Sequence, residues 1–407
     1  MVRKGPVPRF SPFVGLRYDP AIPMDRVIAP PYDVVGTEER ARLAARHLAN
    51  AIHVELPVKD PRTGLDRYRS AALHFARWRQ EGVIAPETGP AFYAYRMTEP
   101  TGASSTGVIG ALEVDPEGSE ILPHEQTVAK DTTDRLELLR ACRANLSPIW
   151  GLSLTDGLTK SFEPEGPPTS HATDDDGVVH SLWVVDDPGV VEAVAAGVGA
   201  SPVVIADGHH RYHTALEYRR ERRGADGDAP GGYDAVMALV VELAEDQLSV
   251  GPIHRVLSEV DPRTDLAEAF GRWFDTVDAG PAEPAVVEAV AGSEALALVG
   301  RGQLWLLTPR EETYAAAGSD LDSSLVALVT DEMPGVEVRY HHDWRSAVGA
   351  LASGDGEAAV LLRPVTVAQI GEWAHARRRM PPKSTYFHPK PRTGMVYRPL
   401  EETPAGS

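Results

Sequence analysis

The chain has 407 residues and a formal net charge of −19, from 59 acidic and 40 basic residues. A surface this acidic repels phosphate backbones, which argues against a nucleic-acid partner but is compatible with a small anionic ligand at a local basic cluster. The single cysteine, Cys142, excludes a disulfide framework and a multi-cysteine metal site. The opening stretch MVRKGPVPRFSPF contains no apolar segment typical of a signal peptide, and no run of about 18 apolar residues predicts a membrane span. We therefore expect a cytoplasmic protein.

The first half of the chain alternates between helical and extended patterns. Apolar residues at three- and four-residue spacing make 66–82 the clearest amphipathic helix. The other predicted elements are a rigid turn at IAPPYDVV (28–35), a helix beginning at Thr37, a strand at HVELP (53–57), strands at 91–97 and 106–115, and a helix, turn and strand within 135–154.

The second half continues with SLWVVDD as a strand, VVEAVAAGV as a helix, PVVIADG as a strand and HRYHTALEYRRERRG as a helix. After about residue 258 the units become shorter, again with strands and helices in alternation. This order predicts an α+β (mixed α/β) fold. We expect a main α+β domain at 1–257 and a C-terminal α/β region at 258–407 that ends in the basic segment KSTYFHPK.

The junction between a strand and a helix in VVIADGHHRYHTALEYRRER (203–222) holds Asp207, Gly208, His209, His210 and Arg211. Unpaired N–H groups and the positive end of the helix dipole at such a junction favour a phosphate. Gly208 would allow close approach, Arg211 would donate two hydrogen bonds, and both histidines can donate to phosphoryl oxygens or move a proton. Asp207 would hold Mg²⁺ against the phosphates.

Two other interpretations of the junction stay open. Asp207 and Gly208 are also what an ordinary capped turn requires, with the histidines on a solvated face. Alternatively, His209 and His213, one helical turn apart with Asp207 nearby, could bind zinc, although the glutamate that a metalloprotease helix carries between its two histidines is missing.

Further stretches contain more reactive groups than a loop requires. In LPHEQT (122–127), Glu125 beside His124 is a candidate general base, or else part of a helix cap. In ACRANLSPIW, Arg143, Asn145 and Ser147 could bind a substrate carboxylate or phosphate, or could cap the helix. Tyr32 and Asp33 in IAPPYDVV follow two prolines, and such rigid turns more often have a structural role.

The basic segment MPPKSTYFHPKPRTGMVYRP (380–399) contrasts with the acidic chain. Its cationic and hydroxyl groups could close over a polyphosphate, or could pair with the protein's own acidic surface. The groups concerned are Lys383, Ser384, Thr385, Lys390, Arg392 and Arg398.

These stretches together resemble a known family. IAPPYDVV, LPHEQT, ANLSPIW, IADGHHRYHTAL, HRVL and KSTYFHPKPRTGMVYRPL are similar, in this order, to the domain-of-unknown-function 1015 (DUF1015) family over nearly the whole chain. DGHHR also resembles the phosphate-binding turn of the ParB/sulfiredoxin-like superfamily, which carries GCHR, GERR or DGHTR there. The second resemblance implies a ParB/sulfiredoxin-like core with additional strands and helices, and nucleotide phosphates bound at the turn.

One branch of that superfamily comprises free-serine kinases, in which the Asp-Gly-His-x-Arg motif holds phosphate and metal. Asp207, Gly208, His209 and Arg211 match that motif, and His210 stands at its variable position. The resemblance assigns no residue here to the kinases' catalytic glutamate, so the choice of Glu125 depends on its chemistry alone.

The residues and the resemblance together predict a phosphotransferase. It would use ATP, ADP or pyrophosphate with Mg²⁺ and would phosphorylate a small hydroxyl substrate, with L-serine as the leading candidate. Glu125 would draw the hydroxyl proton with His124 as its neighbour, while Arg211 and Lys383 would offset the developing charge. The alternatives are a nucleotide-binding or nucleotide-hydrolysing regulatory module of the ParB type and a zinc-dependent hydrolase. The sequence predicts neither the oligomeric state nor the true donor and acceptor.

Overall fold

The computed structural model describes residues 8–60, 63–125, 133–226 and 229–401. The helices are α1 (Met24–Val27), α2 (Thr37–Arg46), α3 (Ile52–Glu55), α4 (Arg67–Gln80), α5 (Thr133–Cys142), α6 (Pro188–Val198), α7 (His209–Asp226), α8 (Leu266–Gly271), α9 (Pro284–Gly292), α10 (Glu311–Ala317), α11 (Asp322–Thr330), α12 (Trp344–Ser353) and α13 (Val367–His375). The strands are β1 (Phe10–Ser11), β2 (Leu16–Tyr18), β3 (Ile84–Pro86), β4 (Phe92–Thr98), β5 (Ser104–Glu113), β6 (Ile121–Pro123), β7 (Ala144–Asn145), β8 (Ile149–Ser153), β9 (Ser170–Thr173), β10 (Val179–Val185), β11 (Val203–Asp207), β12 (Ala235–Glu242), β13 (Ser249–Gly251), β14 (His254–Ser258), β15 (Phe274–Pro281), β16 (Ala297–Gly300), β17 (Gln303–Pro309), β18 (Glu337–His341), β19 (Ala358–Leu361), β20 (Tyr386–His388) and β21 (Arg398–Pro399).

The chain forms two compact units. The first contains residues 1–249 together with 389–407, and the second contains residues 250–388. The boundary predicted from the sequence lies at 257/258, with all of 258–407 in the second part. The structure differs because the end of the chain returns to the first unit, where β21 pairs with β7 and the N–H of Ala29 donates to the Thr393 carbonyl at 3.0 Å.

A mixed sheet organises the first unit. Eight strands lie in the order β6-β11-β8-β12-β5-β4-β10-β9, and β1 pairs with β5 at the side of this path. The pairs β11·β6 and β12·β8 are parallel, and the other pairs are antiparallel. Apolar side chains from these strands pack with α6 and α7 into a buried core. Strand β11, which leads into the candidate site, therefore lies inside the sheet between β6 and β8.

An antiparallel sheet organises the second unit, in the order β15-β17-β16-β19-β14-β18. Successive residues of its inner strands alternate between two cores, as the pleat of a strand requires. Leu257, Leu298 and Val360 belong to one core, whereas Val256 and Ala359 belong to the other. Apolar segments therefore cover both faces of this sheet.

The predicted α+β class is confirmed, and so are most predicted elements. One prediction is wrong: HVELP (53–57) is not a strand, because residues 52–55 form the short helix α3. The N–H groups of Val54 and Glu55 both donate to the Ala51 carbonyl, which closes that helical turn. In the part of the chain that the structure describes, the helices are all too short or too polar to cross a membrane.

Candidate functional site

The candidate phosphate site begins where β11 ends. Val203, Val204 and Ile205 are buried, and the pairing of β11 with β8 shifts register between Ile205 and Asp207. Gly208 follows with φ of +86°, a left-handed conformation that glycine adopts with little strain. The N–H of Tyr212 donates to the Gly208 carbonyl at 3.0 Å, which starts the hydrogen-bond ladder of α7. The predicted strand, turn and helix are thus confirmed, with the amides of His209 and Arg211 in the first helical turn.

Asp207 lies between two cations. Its Oδ2 accepts a hydrogen bond from Arg211 Nη2 at 2.9 Å, and its Oδ1 accepts one from Lys390 Nζ at 2.6 Å. Burial raises the pKa of Asp207, but Lys390 and Arg211 outweigh that effect and lower the pKa to about 2. Asp207 is therefore a carboxylate at neutral pH, and both of its oxygens already bind cationic groups.

A hydrogen bond and a packing contact at the turn fix the position of Arg211. Its Nη1 donates to the carbonyl oxygen of Pro148, which precedes β8. Its guanidinium lies over Gly208, so that a Cβ at Gly208 would come within 3.1 Å of it. The missing side chain at Gly208 is therefore part of what positions Arg211.

His124, Glu125 and His209 lie close together beside the turn. The Nδ1 of His124 lies 2.6 Å from the Ile205 carbonyl, which can only accept, so Nδ1 carries the hydrogen. The Nε2 of His124 lies 3.5 Å from Glu125 Oε2, and the rings of His124 and His209 have centroids 5.1 Å apart. The structure brings together these three residues, which the sequence analysis selected from two separate motifs. Gln126 and Thr127 of LPHEQT lie outside the described residues.

His209 is buried in the first turn of α7, with 9% of its surface exposed. Burial, followed by the neighbouring His124, holds the pKa of His209 well below its usual range. A neutral imidazole can donate one hydrogen bond or accept a proton, but it adds no positive charge for a phosphate. His210 lies in the same helical turn and is partly buried.

The predicted metal roles are not supported by this arrangement. Within the described ranges, the search for groups of three or more His, Cys, Asp or Glu side chains able to hold a metal finds none. Asp207, the residue predicted to hold Mg²⁺, instead forms ion pairs with Lys390 and Arg211. His209, His213 and Asp207 therefore do not form the zinc site of the third alternative.

The predicted substrate-binding residues have other partners. Arg143 has φ of +48° just after α5 and forms an ion pair with Glu401. The Oδ1 of Asn145 accepts hydrogen bonds from the Met237 N–H at 2.9 Å and from Arg398 Nη1 at 3.0 Å. Asn145 therefore joins β7 to β12 and to the C-terminal segment, which is a structural role.

The predicted phosphate-binding residues Lys383, Ser384 and Thr385 belong to the second unit. The Oγ of Ser384 lies 2.9 Å from Ser323 Oγ and donates to the Pro381 carbonyl at 2.7 Å. Lys383 has φ of +59°, and its carbonyl accepts a hydrogen bond from Arg255. Lys390, farther along the basic segment, contacts Asp207 of the predicted turn.

Two charged residues near the turn are not predicted from the sequence. Glu55 and Arg135 are both buried, and Arg135 Nη1 donates to the Glu55 carbonyl at 2.8 Å. The sequence contains a weak indication that these two charged residues are buried. An acidic residue inside the apolar stretch HVELP and an arginine on the apolar face of α5 are unusual, because charged side chains are rarely buried unless paired.

The family of the chain follows from its match to a family profile. The family described as protein of unknown function (DUF1015) matches residues 10–324. This region covers well over half of the chain, and the protein belongs to the DUF1015 family. Among curated proteins, none matches the chain.

Several solved structures resemble the chain at low similarity. A free serine kinase in complex with AMP has 16% identity and a TM-score of 0.36, covering 69% of this chain and 87% of its own. A conserved hypothetical protein from Pyrococcus furiosus has 14% identity and a TM-score of 0.36, covering 71% and 93%. SbnI from Staphylococcus aureus, with a C-terminal truncation, has 13% identity and a TM-score of 0.36, covering 71% and 86%. TM-scores this low do not establish a shared activity.

Proposed function

We propose that the protein is a phosphotransferase whose donor phosphates bind at the turn of Asp207–Arg211. The donor would be a nucleotide or pyrophosphate, and the acceptor a small hydroxyl compound, with L-serine as the leading candidate. The observation that carries the proposal is the pairing of Asp207 with both Lys390 and Arg211 at the start of α7. The resemblance of DGHHR to a phosphate-binding turn supports it.

The charges at the turn favour an anion. Lys390 and Arg211 carry one positive charge each and Asp207 carries one negative charge, so these three side chains together keep one positive charge, and His209 adds none. The positive end of the α7 dipole adds to this charge, and burial strengthens the attraction for a phosphate. In this proposal the side chain of Lys390 takes the place of the metal cation predicted at Asp207.

The acceptor hydroxyl would be activated by Glu125. In the proposed step the hydroxyl oxygen attacks the terminal phosphorus, its proton passes to Glu125, and the bond from phosphorus to the donor oxygen breaks. His124 donates from Nδ1 to the Ile205 carbonyl, and its fixed ring would limit by packing the positions open to the Glu125 carboxylate, which lies 3.5 Å from Nε2. Lys390 and Arg211 would stabilise the charge on the transferred group.

The residues at the turn do not fit a protein-bound Mg²⁺, since both oxygens of Asp207 accept hydrogen bonds from cationic side chains. The proposed step is therefore assigned to side chains of the chain alone. Magnesium enters the experiment only as the normal counterion of the donor.

The test is phosphorus NMR of the purified protein with Mg²⁺ and ATP, ADP or pyrophosphate, with and without L-serine. We expect a new phosphomonoester signal that requires both serine and Arg211. Donor loss without serine would favour the alternative, a hydrolysing regulatory module. If no donor is consumed and no donor signal broadens, the proposed phosphate site is wrong.

Two lysines of the basic segment provide a matched comparison. We expect Lys390→Met to reduce turnover by roughly a hundredfold or more, because it removes a charge that the transition state uses. Lys383→Met, seven residues earlier, should leave turnover within about twofold of the wild type. An equal loss in both variants would contradict the specific role given to Lys390.

A further inference from the structure

The rigid turn in IAPPYDVV is attached to the segment that carries Lys390. Two prolines restrict its backbone, and residues 32–34 form a single turn of 3₁₀ helix. Just before that turn, Ala29 and Thr393 exchange two backbone hydrogen bonds, at 3.0 and 2.9 Å. Thr393 follows Lys390 by three residues, and Lys390 binds Asp207. The segment that supplies a cation to the candidate phosphate site therefore also holds this turn in place.

The side chain of Tyr32 places the turn next to Arg211. The guanidinium of Arg135 lies 4.1 Å from the centre of the Tyr32 ring. Arg135 and Arg211 line the same small cavity beside the start of α7. Burial raises the pKa of Tyr32, and the positive charge of Arg211 is the main effect that opposes this rise. Stacking, cavity lining and charge therefore agree that the turn adjoins Arg211.

Asp33 is an exposed residue of this turn with an unoccupied carboxylate. Among the residues that the structure describes, none forms a hydrogen bond or an ion pair with its oxygens. Its charge nevertheless reaches the site: burial lowers the pKa of Arg211, whereas Asp207 and then Asp33 raise it. An exposed charge acts mainly on near neighbours, because salt screens it at longer range. Asp33 is thus a second carboxylate beside Arg211, and it is open to a ligand.

A carboxylate in this position fits only part of a phosphate donor. It accepts hydrogen bonds and repels phosphate oxygens, so Asp33 does not suit the phosphate chain itself. In a nucleotide, the phosphates are followed by a ribose with two adjacent hydroxyl groups, and both hydroxyls can donate to one carboxylate. Acidic residues bind ribose hydroxyls in dinucleotide-binding folds for the same reason. Pyrophosphate has no group of this kind.

We propose that Asp33 accepts hydrogen bonds from the ribose hydroxyls of the phosphate donor, so that the donor is a nucleotide and not pyrophosphate. The inference rests on the proposed phosphate site and assigns the part of the donor that Arg211 and Lys390 do not bind. Because Asp33 is exposed, the ribose would lie at the open side of the site. The prolines and the hydrogen bonds to Thr393 fix the turn before the donor binds, which reduces the entropy lost on binding.

The test is calorimetric titration of the full chain with ATP, ADP, their 2′,3′-dideoxy analogues and pyrophosphate, each with and without Mg²⁺ and without L-serine. The wild type should bind the better nucleotide at least about tenfold more tightly than its dideoxy analogue, which offers Asp33 no hydroxyl group. Asp33→Ala should bind the two within about twofold of each other. Its affinity for pyrophosphate should stay the same or rise, because a nearby negative charge is removed.

Asp246→Ala is the matched control, since it removes the same charge from another exposed position and should keep the preference of the wild type. Equal binding of nucleotide and analogue by the wild type, or an unchanged preference in Asp33→Ala, would overturn the ribose contact. A loss of nucleotide and pyrophosphate binding in Asp33→Ala that appears only with Mg²⁺ would also overturn it, because Asp33 would then hold the metal.

The same titrations separate this inference from the proposed function. If the ribose contact fails but pyrophosphate still binds and Lys390→Met weakens that binding, the phosphate site stands without it. If neither nucleotide nor pyrophosphate binds, the phosphate site and the ribose contact are both wrong.

Discussion

Asp207 is a carboxylate at the centre of the proposed phosphate site, and its two ion pairs explain how it could support an anion there. Alone, a buried aspartate would repel a phosphate and would resist ionisation. Lys390 and Arg211 change both properties, because each binds one carboxylate oxygen. The carboxylate then holds two cations at the start of α7, so its contribution to the proposed phosphate binding would be indirect.

The lowered pKa of Asp207 predicts a specific dependence of stability on pH. The pKa is about 2 in the folded chain and about 3.9 in an unfolded chain, so Asp207 contributes roughly 2–3 kcal/mol above pH 5. This contribution is lost as the pH falls from about 4 through 2, and about 1 kcal/mol is lost by pH 3. In urea unfolding, the free energy of unfolding of Asp207→Asn should therefore differ most from that of the wild type at neutral pH, and the difference should be smaller at pH 3.

The control for that experiment is the same substitution at the exposed Asp246, which should change the free energy of unfolding by less than about 0.5 kcal/mol. If the difference in the free energy of unfolding between wild type and Asp207→Asn stays constant from pH 7 to pH 3, Lys390 and Arg211 do not lower the pKa of Asp207.

The pairing of Asp207 with Arg211 follows from their local spacing, whereas the pairing of Asp207 with Lys390 does not. Asp207 and Arg211 are four residues apart, so an α-helical turn brings them together. Lys390 lies 183 residues from Asp207, and nothing in a single sequence favours it over Lys383. The choice between these lysines needed the tertiary fold.

At the scale of elements, the turn between β11 and α7 requires glycine. Gly208→Ala would put a Cβ into a left-handed conformation, at a cost of roughly 1–2 kcal/mol, and within 3.1 Å of the Arg211 guanidinium. We expect this variant to be less stable by about that amount and to bind pyrophosphate more weakly in calorimetric titration, since Arg211 must move.

Gly224 provides the control within the same helix, because a Cβ there meets nothing within 4 Å. Gly224→Ala should be neutral or stabilise the chain by up to about 1 kcal/mol, with unchanged binding. If Gly208→Ala behaves in the same way, the proposed geometry of the turn is not needed for phosphate binding.

Helices and strands with a clear hydrophobic period were predicted correctly. The short segment HVELP, which mixes polar and apolar residues, was not. The helix α4 begins where the Asp66 side chain accepts from the N–H groups of Tyr68 and Arg69, as its sequence suggests. HVELP contains alternating apolar residues that are typical of a strand, yet Glu55 is turned inward to Ser147 and Arg135. That inward turn depends on partners about 80 to 90 residues away, which the local pattern does not contain.

At the scale of the whole chain, the sequence predicted two parts but not the return of the last segment. Arg392 donates to Asp174, which also binds His180 at 2.9 Å, and His180 in turn lies 2.7 Å from the Tyr95 hydroxyl. Burial raises the pKa of Asp174, but His180 and Arg392 outweigh it and keep the pKa well below its usual range. The basic segment therefore pairs with acidic groups of the first unit, which was the alternative to its role as a cover over phosphate.

This return makes the last segment part of the first unit's core, and its removal should have a large effect. Met395, Val396 and Tyr397 are buried, and burying each such side chain contributes about 1.5–3 kcal/mol. A chain that ends at His388 should therefore lose at least about 5 kcal/mol and also leave Asp207 and Asp174 without Lys390 and Arg392. We expect limited proteolysis to cut within residues 8–249 of that truncated protein, while a chain that ends at Glu401 stays as resistant as the wild type. Equal resistance of both truncated proteins would mean that the first unit folds without its C-terminal segment, and Lys390 would then be a replaceable partner of Asp207.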